Sequence, residues 1–316
     1  MDAAYHIRYL THRDIDKRRW DACIETAPNG LVYGQSFYLD TMAGEWHALI
    51  LNDYEAVMPL PRRRKAGFSY LFQPPMTPIL GIFGRNITTE RVTHFLQAIP
   101  VSFRLWDISL NHFNPVSLHL DLPVFIRNNF ILSLHKPYDQ VQAQYHPNIK
   151  RNAAKALKKE CIVRKDCSID DVIAICQKQF PAFTRVDRGL FKKLKNIYSH
   201  YAGQGKIYCV LNREGNILAA CAFLFSGSRV YYWLVGNTPG SREYGASSLL
   251  LDTFIRDHAH QPLILDFEGS DDKGVAAFYK KFGAMAEPFS TIYNNRLPFP
   301  FNLLKPLPPH YRDLVS

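Results

Sequence analysis

Apolar residues recur with two spacings in this chain, and the two alternate along its length. Residues 5–10 form a short apolar segment. Thr11 then precedes a helix-like stretch with Ile15 and Trp20 on its buried side. Pro28-Asn29-Gly30 predicts a turn. Residues 46–51 and 54–60 predict two strands joined at Asn52-Asp53. The run Arg62-Arg63-Arg64-Lys65-Ala66-Gly67 predicts a basic turn into a third strand over 68–72. After a loop holding Pro74, Pro75 and Pro78, the spacing of Val92, Phe95, Leu96 and Ile99 predicts a helix over 89–99. Strands are predicted at 103–110 and 130–134.

The second half shows the same order. Ile149, Ala153, Ala156 and Leu157 mark one helix, residues 169–180 a second ending at Pro181, and Leu190, Leu194, Ile197 and Tyr198 a third. Three strands follow at 207–211, 217–225 and 230–235, separated by tight turns at 212–216 and 226–228. A helix over 246–258 precedes a strand over 263–267. A short helix over 274–282 has Gly283 as its C-cap. Helix, antiparallel meander, helix, strand thus occurs twice, which predicts a mixed α/β protein built of two similar domains. The repeat is one of element order, not of residue identity. The expected division is 1–140, 141–295 and a tail, 296–316, whose Pro298, Pro300, Pro306, Pro308 and Pro309 bar regular helix and central strand. The tail is expected to drape over the surface.

Length agrees: 316 residues suit two domains of roughly 150 each. A hydrophobic fraction of 47% with 21% charged residues excludes a disordered chain. The longest apolar run, 217–225, is too short for a membrane span, and the N-terminus lacks a signal-peptide core. None of the six cysteines forms a C-x-x-C pair, so a reducing cytoplasm is the expected setting and no metal is expected. A net charge of +10 favours anionic partners.

Four segments offer chemistry, each with an ordinary structural alternative. Arg242-Glu243-Tyr244-Gly245-Ala246-Ser247 lies between a strand and a helix led by small residues. Backbone N–H groups at such a start bind phosphate, although any capped helix offers the same donors. Asp266 and Glu268 alternate from one side of a strand as it ends, where a carboxylate can hold an amine or take its proton; a solvated strand end is the alternative. Tyr279 lies off the face formed by Val275, Phe278 and Phe282, so it is either a proton donor or a half-buried aromatic. The segment 146–159 carries Lys150, Arg151, Lys155, Lys158 and Lys159 opposite an apolar stripe, which reads as a polyanion site or as the solvated face of an amphipathic helix. No G-x-S-x-G, H-E-x-x-H or G-x-x-x-x-G-K-[ST] motif occurs.

Together these segments resemble the GNAT acyltransferase superfamily, and more closely its tandem-domain FemABX-like and BioF2-type branch. Lys150-Arg151-Asn152-Ala153-Ala154-Lys155-Ala156 is similar to the branch's Arg-Arg-Asn-x-x-Lys-Ala helix. Residues 265–283 are similar to its Asp-Phe-Glu-Gly-Ser followed by Phe-Tyr-x-x-Phe-Gly. Residues 30–37, and the run from Met58-Pro59-Leu60 to Gly81-Ile82-Phe83, fit its N-terminal half. The resemblance implies two GNAT-like domains and transfer of an acyl or aminoacyl group from a phosphate-bearing carrier, acyl-CoA or aminoacyl-tRNA, to an amine. Cell-wall precursors are among the candidate acceptors. The expected donor-binding residues are Arg242, Gly245, Ala246, Ser247, Lys150, Arg151 and Lys155. Asp266 or Glu268 is expected to handle the amine, and Tyr279 to face the leaving group. Two departures stand out. Ser247 replaces the last small residue of the usual cofactor loop, and the strand 217–225 lacks the carboxylate many acetyltransferases use as base. The competing reading is a non-catalytic, degenerate GNAT pair that binds RNA or a phosphorylated ligand.

Overall fold

The computed structural model describes residues 6–117, 120–179, 189–269, 272–308 and 311. The chain divides into two compact units, one of residues 1–128 and 287–316, the other of residues 129–286. Each holds a mixed sheet flanked by helices.

In the first unit β1 (Ile7–Leu10) pairs with β2 (Trp46–Leu51), and β2, β3 (Ala56–Lys65) and β4 (Phe68–Leu71) form an antiparallel meander. Between β1 and β2 lie α1 (Lys17–Thr26), whose Asp16 accepts from the Arg19 N–H at its start, and the short α2 (Ser36–Met42). The two-residue β5 (Phe83–Gly84) adds to β3. The helix α3 (Thr89–Gln97), capped by Thr88, then leads to β6 (Phe103–Ser109), which pairs parallel to β4.

The strand β7 (Val124–Ser133) carries the chain into the second unit. There follow α4 (Tyr138–Ala143), α5 (Pro147–Lys158), β8 (Ile162–Arg164), α6 (Ile169–Gln179) and α7 (Leu190–His200). The meander β9 (Gly205–Leu211), β10 (Ile217–Ser226) and β11 (Arg229–Asn237) comes next. A single turn, α8 (Ser241–Tyr244), and α9 (Ala246–His258) lead to β12 (Ile264–Asp266), parallel to β11. The last elements are α10 (Lys273–Lys280) and β13 (Met285–Asn295).

The strand orders are β1-β2-β3-β4-β6-β13 in the first unit and β8-β9-β10-β11-β12-β7 in the second. They correspond position by position, so the repeated element order is a repeated fold. Each unit completes its sheet with a strand distant in sequence from the one it pairs with. Ser133 to Ile131 of β7 pair with Ile264 to Asp266, and residues 291–295 of β13 pair with 109–105 of β6. The first unit is therefore discontinuous in sequence and takes in residues 287–316.

Three local readings change, and one cannot be compared. Arg62–Lys65 is no turn: these residues continue β3 against Phe68–Leu71, and only Ala66 and Gly67, both at positive φ, turn the chain. The stop expected at Pro181 lies outside the described residues. β13 carries no strand signal in its sequence. The tail is not merely draped: Tyr311 is buried with Leu105, Phe125 and Tyr293, and its hydroxyl donates to Asp107 at 2.6 Å.

The core of the second unit sets the site's foundation. The helix α9 buries Leu249, Leu250, Phe254 and Ile255 against the meander, and Phe254 stacks on Phe223 at 3.7 Å. At its end His258 is buried. Its Nδ1 donates to the Phe254 carbonyl at 2.8 Å, and its Nε2 accepts a hydrogen bond from Lys206 Nζ at 3.0 Å. Burial depresses its pKa, and the Lys206 charge adds to that. A group whose folded pKa lies below its unfolded value contributes stability above the unfolded pKa and loses it as pH falls. Urea midpoints are thus expected to drop as pH falls below about 6.5, and less so in His258→Gln. Equal pH profiles for the two proteins would contradict this.

Candidate active site

The parallel ladder between β11 and β12 pairs Arg229–Tyr231 with Ile264–Asp266 and ends there, while β11 runs on to Asn237. A cavity of about 820 Å³ opens where the strands part. Ligands of α/β sheets collect at such carboxyl ends. One wall is α10 with Tyr279, one is the turn from Ser241 to Ser248, and one is the start of α5 with Arg151 and Asn152.

The turn is built by Gly245, at φ +78°, which starts α9 directly after α8. A Cβ on Gly245 would lie 2.4 Å from the carbonyl oxygen of Asn152. The glycine therefore lets α5 and the turn touch, and so joins two of the segments singled out in the sequence. Asn237 fastens the turn to β11: its Oδ1 accepts from Ser247 Oγ at 2.6 Å and Ser241 Oγ at 3.1 Å, while its N–H donates to Gln179 at 2.6 Å. Lys159 pairs with Glu243 at 2.7 Å and lies over the Tyr244 ring. That pair is exposed and adds little energy. Gly245→Ala combines a forbidden backbone angle with a backbone clash. It is expected to cost more than about 1 kcal/mol in unfolding free energy and to weaken anion binding; an unchanged urea midpoint would contradict this.

Tyr279 is fixed by packing. Its ring stacks on Phe267 at 4.5 Å and meets Tyr232 edge-on at 6.2 Å. Its hydroxyl makes no hydrogen bond among the described residues, and the side chain lines the cavity. Burial raises its pKa, and the nearby Glu268 carboxylate raises it further. The phenol therefore stays protonated and can give its proton only to a strong base formed during reaction.

The two carboxylates part company. Asp266 is 2% exposed and does not line the cavity. Arg229 donates to it at 2.7 Å, Asn129 at 2.9 Å and the Glu268 N–H at 2.8 Å. Burial pushes its pKa up and these donors pull it back. Asp266 is thus engaged by three donors and is absent from the cavity lining. Glu268 follows the end of β12 with φ at +61°. This breaks the strand alternation and brings its charge within electrostatic reach of Tyr279.

Of the expected donor-binding residues, Arg242, Gly245, Ser247 and Arg151 line the cavity. Ala246 does not: its side chain is buried in the core beneath. Lys150 and Lys155 are exposed on α5 outside the cavity. Arg242 is exposed and has no ion pair among the described residues. Tyr232, Asn237 and Gln179 also line the site and were not foreseen. Tyr232 lies within an apolar strand, where nothing marks its hydroxyl, and Asn237 is an ordinary strand-end residue by sequence.

Residues 146–281 match the family model of the acetyltransferase (GNAT) domain. This region is similar to a GNAT domain. All the cavity's lining residues lie within it. None of the curated proteins matches the chain. Among solved structures, FemX shares the fold at a TM-score of 0.61 and 14% identity, over 94% of this chain and 99% of that one. L-PGS from Bacillus licheniformis is similar at a TM-score of 0.54 and 11% identity, over 92% and 95%. The C-terminal domain of a putative lysylphosphatidylglycerol synthetase from Agrobacterium fabrum gives 0.53 and 10%, over 92% and 94%. At these identities the likeness is one of fold, and it extends beyond the GNAT domain to nearly the whole chain. Among the described residues, no helix is long and apolar enough to cross a membrane.

Proposed function

We propose that this protein is an N-acyltransferase that moves an acyl or aminoacyl group from a phosphate-bearing carrier, acyl-CoA or aminoacyl-tRNA, to an amine acceptor. The observation that carries this is one cavity of the GNAT domain lined both by a protonated, packed Tyr279 and by the Arg242-to-Ser247 turn at the start of α9. The turn and Arg151 supply positive charge and backbone N–H groups for the carrier's phosphate. The acyl carbon then lies toward Tyr279, between the parted ends of β11 and β12. The amine attacks that carbon and a tetrahedral oxyanion forms, held by backbone donors where the strands part. The carrier leaves as a thiolate from CoA or a ribose alkoxide from tRNA, and the Tyr279 phenol donates the proton it needs. Glu268 attracts the incoming ammonium and helps it shed its proton. Cell-wall precursors are the acceptors that the family resemblance suggests. Six free cysteines suit a reducing compartment, and we place the reaction in the cytoplasm.

The exposed cations of α5 separate the two carriers. Titration of aminoacyl-tRNA and acyl-CoA against the protein and its Lys150→Ala, Arg151→Ala, Lys155→Ala triple variant tests this. With tRNA as carrier, affinity falls and the slope of log affinity against log salt flattens by about 2–3. With acyl-CoA as carrier, only Arg151 matters. Failure of both carriers to bind would overturn the proposal, and binding without transfer to any amine would favour a non-catalytic GNAT pair.

A further inference from the structure

One end of the first unit's sheet gathers three segments. Lys65 pairs with Phe68 at the tip of the β3–β4 hairpin, Ser69 pairs with Phe103 at the start of β6, and Leu105 pairs with Asn295 at the end of β13. The chain after β13 stays at this end. The Arg296 N–H donates to the Arg104 carbonyl at 2.7 Å, and the Phe301 ring meets that of Phe68 at 5.2 Å.

Two properties coincide there. The apolar side chains are bare: Phe299 is 79% exposed, Val101 75%, Leu304 72% and Leu303 66%. Isolated exposed apolar residues are ordinary, but four large ones at one end of a sheet form an unsatisfied patch. The charge around them has one sign. Arg63, Arg64, Lys65, Arg104, Arg296 and Lys305 belong to these segments, and residues 62–72, 99–106 and 295–308 contain no Asp or Glu. Arg63 lies over the Phe72 ring and Arg296 over the Trp106 ring, so these two cations are aligned along aromatic faces.

We propose that this end of the first unit docks on the surface of an anionic lipid bilayer. Leucine and phenylalanine side chains enter the boundary between headgroups and acyl chains, and the ring of cations meets the lipid phosphates. Long Lys and Arg stems suit this, since they lie along apolar surface while their charge stays at headgroup level. Nucleic acid would use the cations and the two rings but gains nothing from bare Leu303, Leu304 and Val101. The lipid surface accounts for both properties. This docking does not depend on the activity proposed for the GNAT domain.

The test is co-sedimentation with vesicles of phosphatidylcholine alone and of phosphatidylcholine mixed with phosphatidylglycerol, at low and high salt. The protein is expected to bind the mixed vesicles and hardly the neutral ones. Arg63→Ala, Arg64→Ala, Lys65→Ala together are expected to weaken binding by about 100-fold. Phe299→Ser, Leu303→Ser, Leu304→Ser together are expected to abolish the binding that survives high salt. Leu304→Ser alone, at an exposed site that cannot affect folding, should show a smaller loss in the same direction. Absence of binding to mixed vesicles, or equal binding by both triple variants and the parent, would overturn the proposal. So would binding of a single-stranded RNA oligonucleotide that the charge variant loses and the apolar variant keeps, if vesicles are not bound.

Discussion

Tyr279→Phe lowers turnover by about 10²–10⁴-fold, the range for loss of a general acid, while donor binding stays near that of the parent. The substitution keeps the ring that stacks on Phe267 and meets Tyr232, and removes only the hydroxyl that lines the cavity. That hydroxyl has no hydrogen-bond partner to orphan among the described residues, so stability is expected to hold. The loss should fall on kcat and kcat/KM together, because the proton is needed only as the carrier departs. It should also shrink with a carrier whose leaving group is a weaker base. Release of free carrier in the presence of a panel of amines provides the readout. Full turnover by Tyr279→Phe would reduce this side chain to a packing aromatic.

Asp266→Ala destabilises the protein by about 3–5 kcal/mol. Asp266 and Arg229 have side chains only 3% and 10% exposed, and removing the carboxylate takes a charged partner from a buried guanidinium. The Asn129 amide and the Glu268 N–H each lose one acceptor at the same time. A cost of this size is a large part of the stability of an ordinary domain. Glu268→Gln provides the contrast, with turnover reduced and the unfolding midpoint nearly unchanged. Chemical unfolding of both variants, followed by assay of the folded fraction, separates the two roles. An Asp266→Ala protein as stable as the parent but inactive would instead make Asp266 the acid that handles the amine.

The meander strands and α9 were legible because their apolar positions form runs or helical stripes that only burial explains. β13 was not, since Ser290, Thr291, Asn294 and Asn295 interrupt its apolar residues. Thr291 is fully buried by pairing its hydroxyl with Ser109 at 3.1 Å, a partner 182 residues away. The basic stretch from Arg62 to Lys65 looked like a turn because charge suggests solvent. It is a strand because its backbone pairs with β4 while the side chains point out. Gly245, Ser247 and Tyr279, singled out in the sequence, line one cavity, although spacing alone left Tyr279 open as a half-buried aromatic. The choice between Asp266 and Glu268 could not be read from spacing. Alternation puts both on one side of a strand, but β12 ends at Asp266 and Glu268 turns into a left-handed conformation. The groups that claim Asp266 lie 37 and 137 residues away in sequence.

Hydrogen exchange with and without whichever carrier binds more tightly tests the central claim most directly. The account predicts slowed exchange in three places at once: the Ser241-to-Leu249 turn and start of α9, the first turns of α5 around Arg151, and α10 around Tyr279. These are the walls of one cavity, and a carrier seated in it covers all three. Protection confined to other parts of the chain, with these three segments unchanged, would contradict it.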